Sequence, residues 1–214
     1  MIIGITGGIG SGKSYVSDIL KGKFGIPVYV CDDEAKRLAA TDGEIRDRLT
    51  DVAGPEVFNG AELNRKYLAD YIFSDLQHAS KVNAIIHPAV LKDFRRWMKE
   101  QTAEVVCLES AILYESGFDE YVDKVLFVDA PEALRLQRAM LRDTATEEQI
   151  RARMKVQQPE LHRPQADFVI DNGTDDSARL LGQLTDILSG MAPSRTFPES
   201  GIPLRRTPAE ADKQ

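Results

Sequence analysis

The run Gly7-Gly8-Ile9-Gly10-Ser11-Gly12-Lys13-Ser14 constrains this chain more than any other stretch, because it fits G-x-x-x-x-G-K-[ST] directly after the apolar run Met1-Ile2-Ile3-Gly4-Ile5-Thr6. It reads as a P-loop. Val16, Ile19 and Leu20 follow at helical spacing, so the context is strand, glycine turn and helix. Glycines let consecutive backbone N–H groups curl around phosphate oxygens, and the opening helix adds the positive end of its dipole. Lys13 would reach the β- and γ-phosphates and Ser14 would give its hydroxyl to a magnesium ion. Gly8, Ile9, Gly10, Ser11, Gly12, Lys13 and Ser14 are therefore the expected ATP-binding residues. The plain alternative is a glycine-rich turn with a chance Gly-Lys-Ser, which the flanking strand and helix disfavour.

With 214 residues, 43% of them hydrophobic and 29% charged, the chain has enough material for one sizeable core, with room for an inserted subdomain. Its net charge of −7 argues against a nucleic-acid partner, so positive charge for phosphates must be local. Cys31 and Cys107 form no C-x-x-C, which suggests neither a disulfide framework nor a zinc site and fits a reducing, cytoplasmic setting. No run approaches a membrane span, and a strand starting at Ile2 leaves no room for a signal peptide. No membrane partner is expected. The oligomeric state stays open between a monomer and a weak homo-oligomer.

Gly25 to Cys31 reads as a turn feeding a second core strand that ends at Asp32-Asp33. Ligands of open parallel sheets collect at the carboxyl ends of strands, so either aspartate could act as a base. Equally, one of them could cap a helix beginning at Glu34. From about Asp42 to Gln101 no strong strand appears and three helical patterns follow one another, with Ile86-His87-Pro88 as a corner between the last two. Asp51-Val52-Ala53-Gly54 matches the D-x-x-G of GTPases, but no strand precedes it and no N-K-x-D follows. Glu104 to Glu109 is a third, buried parallel strand, whose final carboxylate suits either a metal-water partner or a helix cap. Lys124 to Asp129 and Ala166 to Asp171 are the fourth and fifth strands, and Leu180 to Leu188 a closing helix.

Arg135, Arg138 and Arg142 fall at i, i+3 and i+7 and share one helical face. Between residues 135 and 163 seven Lys or Arg face four Asp or Glu, a local excess that could neutralise a transferring phosphoryl group. The bland reading is a solvated, ion-paired face. The segment to Gln165 contains Pro159 and Pro164 and reads as a lid, which a kinase needs to exclude water. From Met191 the pattern stops in a proline-rich tail that reads as disordered.

Taken together the residues resemble the dephospho-CoA kinase family over roughly residues 1 to 188. The matching pieces are Gly4 to Ser14, Asp32, Leu63 to Ala69 with Phe73, Asn83 to Pro88, Glu109 to Gly117, Arg138 to Asp143, Arg153 to Gln157 and Ala166 to Asn172. The resemblance implies an α/β, three-layer P-loop kinase fold: a five-stranded parallel sheet of order 2-3-1-4-5 with an inserted helical substrate lobe and a helical lid. The corresponding boundaries are a nucleotide-binding core of 1–57 with 101–137 and 164–190, a CoA-binding lobe at 58–100, a lid at 138–163 and a tail at 191–214. It also implies the reaction, transfer of the γ-phosphoryl of ATP to the ribose 3′-hydroxyl of dephospho-CoA with Mg²⁺. Asp32, Lys13, Arg138 and Arg142 would be catalytic, Asp32, Arg65 and His87 would bind the acceptor, and Ser14 would hold the metal. The family's Asp-x-Asp here reads Val30-Cys31-Asp32, which favours Asp32 over Asp33 and removes any role for the first acid. Ala111 stands where many members have proline, and His162 lies near an expected lysine and is assigned no role.

Overall fold

A strand buried at every position, β1 (Ile2–Thr6), begins the fold and leads through the glycine loop into α1 (Lys13–Phe24). The computed structural model describes residues 1–191 apart from positions 61, 144, 158 and 175; the tail expected from 191 onward lies, beyond Met191, outside the described residues. After β2 (Val28–Val30) come α2 (Cys31–Thr41), α3 (Gly43–Ala53), the short strands β3 (Phe58–Asn59) and β4 (Glu62–Leu63), α4 (Arg65–Ser74) and α5 (Leu76–Lys99). The α/β alternation then resumes with β5 (Val106–Glu109), β6 (Lys124–Asp129), α6 (Glu132–Arg142), α7 (Glu147–Gln157), α8 (Pro159–His162), β7 (Phe168–Asp171) and α9 (Ser177–Gly190). Two compact units result: Met1–Val28 with the chain from Ala103 onward, and Tyr29–Thr102.

The five-stranded sheet runs β2-β5-β1-β6-β7. Counting only its own strands in chain order, this is the expected 2-3-1-4-5. β1 pairs in parallel with β5 and β6, and β6 with β7. Register puts Glu109 opposite Ile5, Phe127 opposite Thr6 and Asp171 opposite Asp129, so the strand ends reach one edge together. β2 enters through Pro27, whose carbonyl accepts the Cys107 N–H at 2.8 Å.

Ile3 and Ile5 of β1, Cys107, Leu126, Val128 and Ile170 pack with Val16 and Leu20 of α1 and Leu180 and Leu184 of α9. The alternation along the strands and the three-to-four spacing on both helices turn these apolar residues into one face. Each fully buried aliphatic side chain there contributes about 1.5–3 kcal/mol relative to exposure. That burial fixes α1, and with it the loop before it, against the sheet. A second, smaller cluster joins Leu136 and Ala139 of α6 to Ile150 and Met154 of α7. Thr146 and Gln149 start α7 reciprocally, each backbone N–H donating to the other's side chain, as in a capping box.

The second unit differs from the sequence reading in several ways. It takes in α2 and α3, which lie against α5. The stretch read as purely helical carries the β3–β4 hairpin, with strands of two residues that are too short to express a period. α2 begins at Cys31 with Val30 at its N-cap, so Asp32 and Asp33 sit in its first turn and neither caps a helix at Glu34. The expected corner at Ile86-His87-Pro88 is absent, since one helix runs from Leu76 to Lys99 with Pro88 inside it. Proline cannot donate to the preceding turn, but Val82, Ile85, Val90 and Phe94 are all buried on both sides of it. The apolar face outweighs the lost bond. Among the described residues no helix is long and apolar enough to cross a membrane.

Pro88 is exposed, so Pro88→Ala should restore a helical hydrogen bond without disturbing packing and stabilise the protein by about 2 kcal/mol, less some unfolded-state entropy. A rise in the urea midpoint with unchanged slope is the expected result. A neutral or destabilised variant would mean that proline starts a separate helix.

Candidate nucleotide and phosphoryl-transfer site

At the carboxyl end of β1 the loop from Gly7 to Gly12 closes into the start of α1. Gly12 holds the N-cap at φ 95°, and a Cβ there would collide with the side-chain amide of Asn172. Gly10, at φ 75°, lies so close to the backbone oxygen of Arg135 that no Cβ fits. Both positions demand glycine for space as well as for conformation. Lys13 folds its ammonium onto the loop, donating to the carbonyls of Gly7 at 2.8 Å and Gly8 at 3.2 Å. The Ser11 hydroxyl is buried and lacks a hydrogen-bond partner among the described residues. A buried polar atom without a partner is costly unless a ligand satisfies it, and phosphate oxygens would.

Glu109, buried at the end of β5, accepts from Ser17 Oγ at 2.6 Å and from Ser14 Oγ at 3.3 Å. It starts no helix, which removes the capping alternative. The hydroxyl of Ser14 and a carboxylate form an all-oxygen donor set, and that suits a hard divalent cation.

The three arginines of α6 diverge. Arg135 is buried. Arg138 is half-buried and donates to the Asn172 carbonyl at 2.9 Å. Arg142 is exposed and engages Asp143 through two nitrogens, at 2.8 and 3.2 Å, which holds that carboxyl below the usual range. Arg138 reaches the loop region, whereas Arg142 would have to leave its carboxylate to act on a phosphate.

Asn172 organises this part of the site and was not singled out from the sequence. Its amide donates to the Ser11 carbonyl at 2.7 Å, its backbone N–H donates to the Asp129 carbonyl at 2.8 Å, and its own carbonyl receives Arg138. A cavity of about 270 Å3 lies against it, lined by Gly12, Tyr15, Arg138, Thr174, Asp176 and Ser177. Its sequence signal was a polar residue at a strand's carboxyl end, the same position that drew attention to Asp32.

In the second unit, Asp32 is exposed in the first turn of α2, while Asp33 is taken by Lys36 at 2.9 Å. The turn is held from below by Asp93 of α5, which is buried and accepts from Tyr29 Oη at 2.9 Å, Arg37 at 2.6 Å and Arg96. Burial and that neighbouring carboxylate push the Tyr29 phenol well above its ordinary range, so it stays a donor. Arg65 is exposed at the first position of α4. His87 is half-buried in α5, and burial lowers its pKa so that the imidazole is neutral near pH 7.

The family model for Dephospho-CoA kinase matches residues 1–177. A dephospho-CoA kinase of Bacteroides fragilis is 51% identical over 135 residues, which cover 63% of this chain and 65% of that protein. The aligned stretch thus spans just under two thirds of that curated relative. Among solved structures, TT1252 from Thermus thermophilus is 34% identical with a TM-score of 0.78, covering 90% of this chain and 98% of its own. A dephospho-CoA kinase from Campylobacter jejuni shares the fold at 22% identity and a TM-score of 0.60, covering 88% and 96%.

Lys13→Ala should weaken binding of a nucleoside triphosphate by about ten- to a hundredfold, the worth of a charge-assisted hydrogen bond. Equilibrium titration with ATP checks it. Wild-type affinity in the variant would remove the loop from phosphate recognition.

Proposed function

The chain belongs to the dephospho-CoA kinase family, and from that premise we propose that it transfers the γ-phosphoryl group of ATP to the ribose 3′-hydroxyl of dephospho-CoA, giving coenzyme A. The observation that carries the reading is the Gly7 to Ser14 cradle, with Lys13, the buried Ser11 hydroxyl and Glu109 at one strand edge, in a chain matched from residue 1 to 177.

In this reading the 3′-hydroxyl oxygen attacks the γ-phosphorus in line as the bond to the β,γ-bridging oxygen breaks, and ADP leaves. Backbone N–H groups of the cradle and Lys13 hold the β- and γ-phosphates, so the donor is aligned before reaction. Mg²⁺, when bound, would be held by Ser14 with Glu109 behind it and would supply neutralisation of the β- and γ-oxygen charge. Arg138, seated on Asn172, borders the cavity of about 270 Å3 that we assign to the nucleoside end of ATP. Arg142 joins the phosphates on exchanging Asp143 for them.

Asp32 takes the proton of the acceptor hydroxyl. A carboxylate is a weak base toward an alcohol. It therefore aims the nucleophile first and accepts the proton late, as the oxygen–phosphorus bond forms. The neutral imidazole of His87 and the guanidinium of Arg65 serve acceptor binding, in the lobe proposed at 58–100, and the lid is assigned to 138–163. A cytoplasmic setting accords with Cys31 and Cys107 both being buried free thiols.

Asp32→Asn should lower kcat about 10²-fold or more while leaving the KM for ATP largely intact. Mass spectrometry after incubation with Mg-ATP and, separately, dephospho-CoA, adenosine and nucleoside monophosphates reads the reaction itself. A phosphoryl gain on dephospho-CoA alone is expected. Product only from a nucleoside monophosphate would overturn the reading.

A further inference from the structure

Ile9 is the only large apolar side chain in the cradle, and phosphate binding has no use for it. It packs instead against the cluster of Leu136, Ala139, Ile150 and Met154 formed by α6 and α7. Independently, its backbone N–H donates at 2.9 Å to Oε1 of Gln157, the last residue of α7. One residue of the loop thus meets α7 through its main chain and the shared α6–α7 cluster through its apolar side chain. If α7 swings away, the Ile9 N–H loses its acceptor and the cluster under the Ile9 side chain loses Ile150 and Met154.

We propose that Ile9 and Gln157 form a latch through which the phosphate loop itself holds α7 closed over the donor, making Gln157 a positioning residue that keeps water from the γ-phosphoryl. This rests on the phosphotransfer reading above. A latch of this kind couples the two elements mechanically: a correctly shaped loop presents the Ile9 N–H, and a docked α7 fixes the loop's first turn. The acceptor is a neutral amide, as the location requires. A carboxylate there would still accept the N–H but would set a negative charge beside the phosphates. The reaction the latch suppresses is hydrolysis, in which a water oxygen bonds to the γ-phosphorus as the bridging bond to the β-phosphate breaks, giving ADP, inorganic phosphate and a proton.

The test uses the full chain and the variants Gln157→Met, Gln157→Glu and Ile9→Ala. Phosphoryl transfer to dephospho-CoA and release of inorganic phosphate from Mg-ATP without acceptor are measured side by side. Losing one well-made hydrogen bond should raise the ratio of hydrolysis to transfer about five- to tenfold in Gln157→Met. Ile9→Ala should raise it in the same direction. Gln157→Glu should keep the ratio near wild type while raising the KM for ATP. A general loss of structure would lower both reactions together and leave the ratio unchanged, and that result would overturn the latch. Trypsin cleavage at Arg151 and Lys155, with and without a non-hydrolysable ATP analogue, separates the two ideas. If no acceptor is phosphorylated yet the analogue protects wild type and not Gln157→Met, the phosphotransfer reading fails while the docking of α7 through Ile9 and Gln157 stands. Equal protection of both proteins refutes the latch.

Discussion

A phosphate site made from main-chain N–H groups keeps its shape only if the carbonyls of the same loop are tied down from outside. Here the ties come from several elements. Asn172, just beyond β7, donates to the Ser11 carbonyl, and Lys13 of α1 donates to Gly7 and Gly8. Those bonds hold the loop's carbonyls in place, while among its N–H groups Ile9 donates to Gln157 and Ser11 to the Gly8 carbonyl. The parallel sheet makes this possible, because its registers bring Glu109, Asp129 and Asp171 to the edge where β1 ends. Asn172 in turn hangs from the Asp129 carbonyl, so the loop is referenced to β6 and β7 rather than to its own flexible glycines.

The same constraint explains why polar groups sit so deep here. Ser17 and Glu109 are both buried, an arrangement that costs free energy unless each is hydrogen-bonded. Their 2.6 Å bond satisfies one carboxylate oxygen. It leaves the other oxygen aimed at Ser14, where a cation would compete for the hydroxyl. Arg138, half-buried, is anchored on the Asn172 backbone carbonyl at 2.9 Å.

Much of this was legible in the sequence because it is local. The P-loop, the five sheet strands and α1 are set by contiguous residues whose spacing matches a single period, and the helix behind Asp32 was likewise visible. What failed depended on tertiary packing. Pro88 reads as a boundary by its own chemistry, yet buried Val82, Ile85, Val90 and Phe94 carry α5 straight through it. Val30 is the N-cap of α2 although it has no capping side chain, because β2 runs directly into the helix. The arginine triplet shares a helical face, but the face curves from the interior at Arg135 to solvent at Arg142, and spacing alone cannot grade that. Asn172 escaped notice for the opposite reason, since its partners lie 161 and 34 residues away.

The most direct test of this account is the affinity of Asn172→Leu for ADP or ATP, measured by calorimetry beside its melting temperature. Leucine keeps the volume and removes the donor to Ser11. If the loop is shaped from outside, nucleotide affinity should fall about tenfold or more, the worth of a buried hydrogen bond to an otherwise untied carbonyl, while the fold melts within a few degrees of wild type. Wild-type affinity in the variant would mean that the glycine loop holds its own shape, contradicting the account at its base.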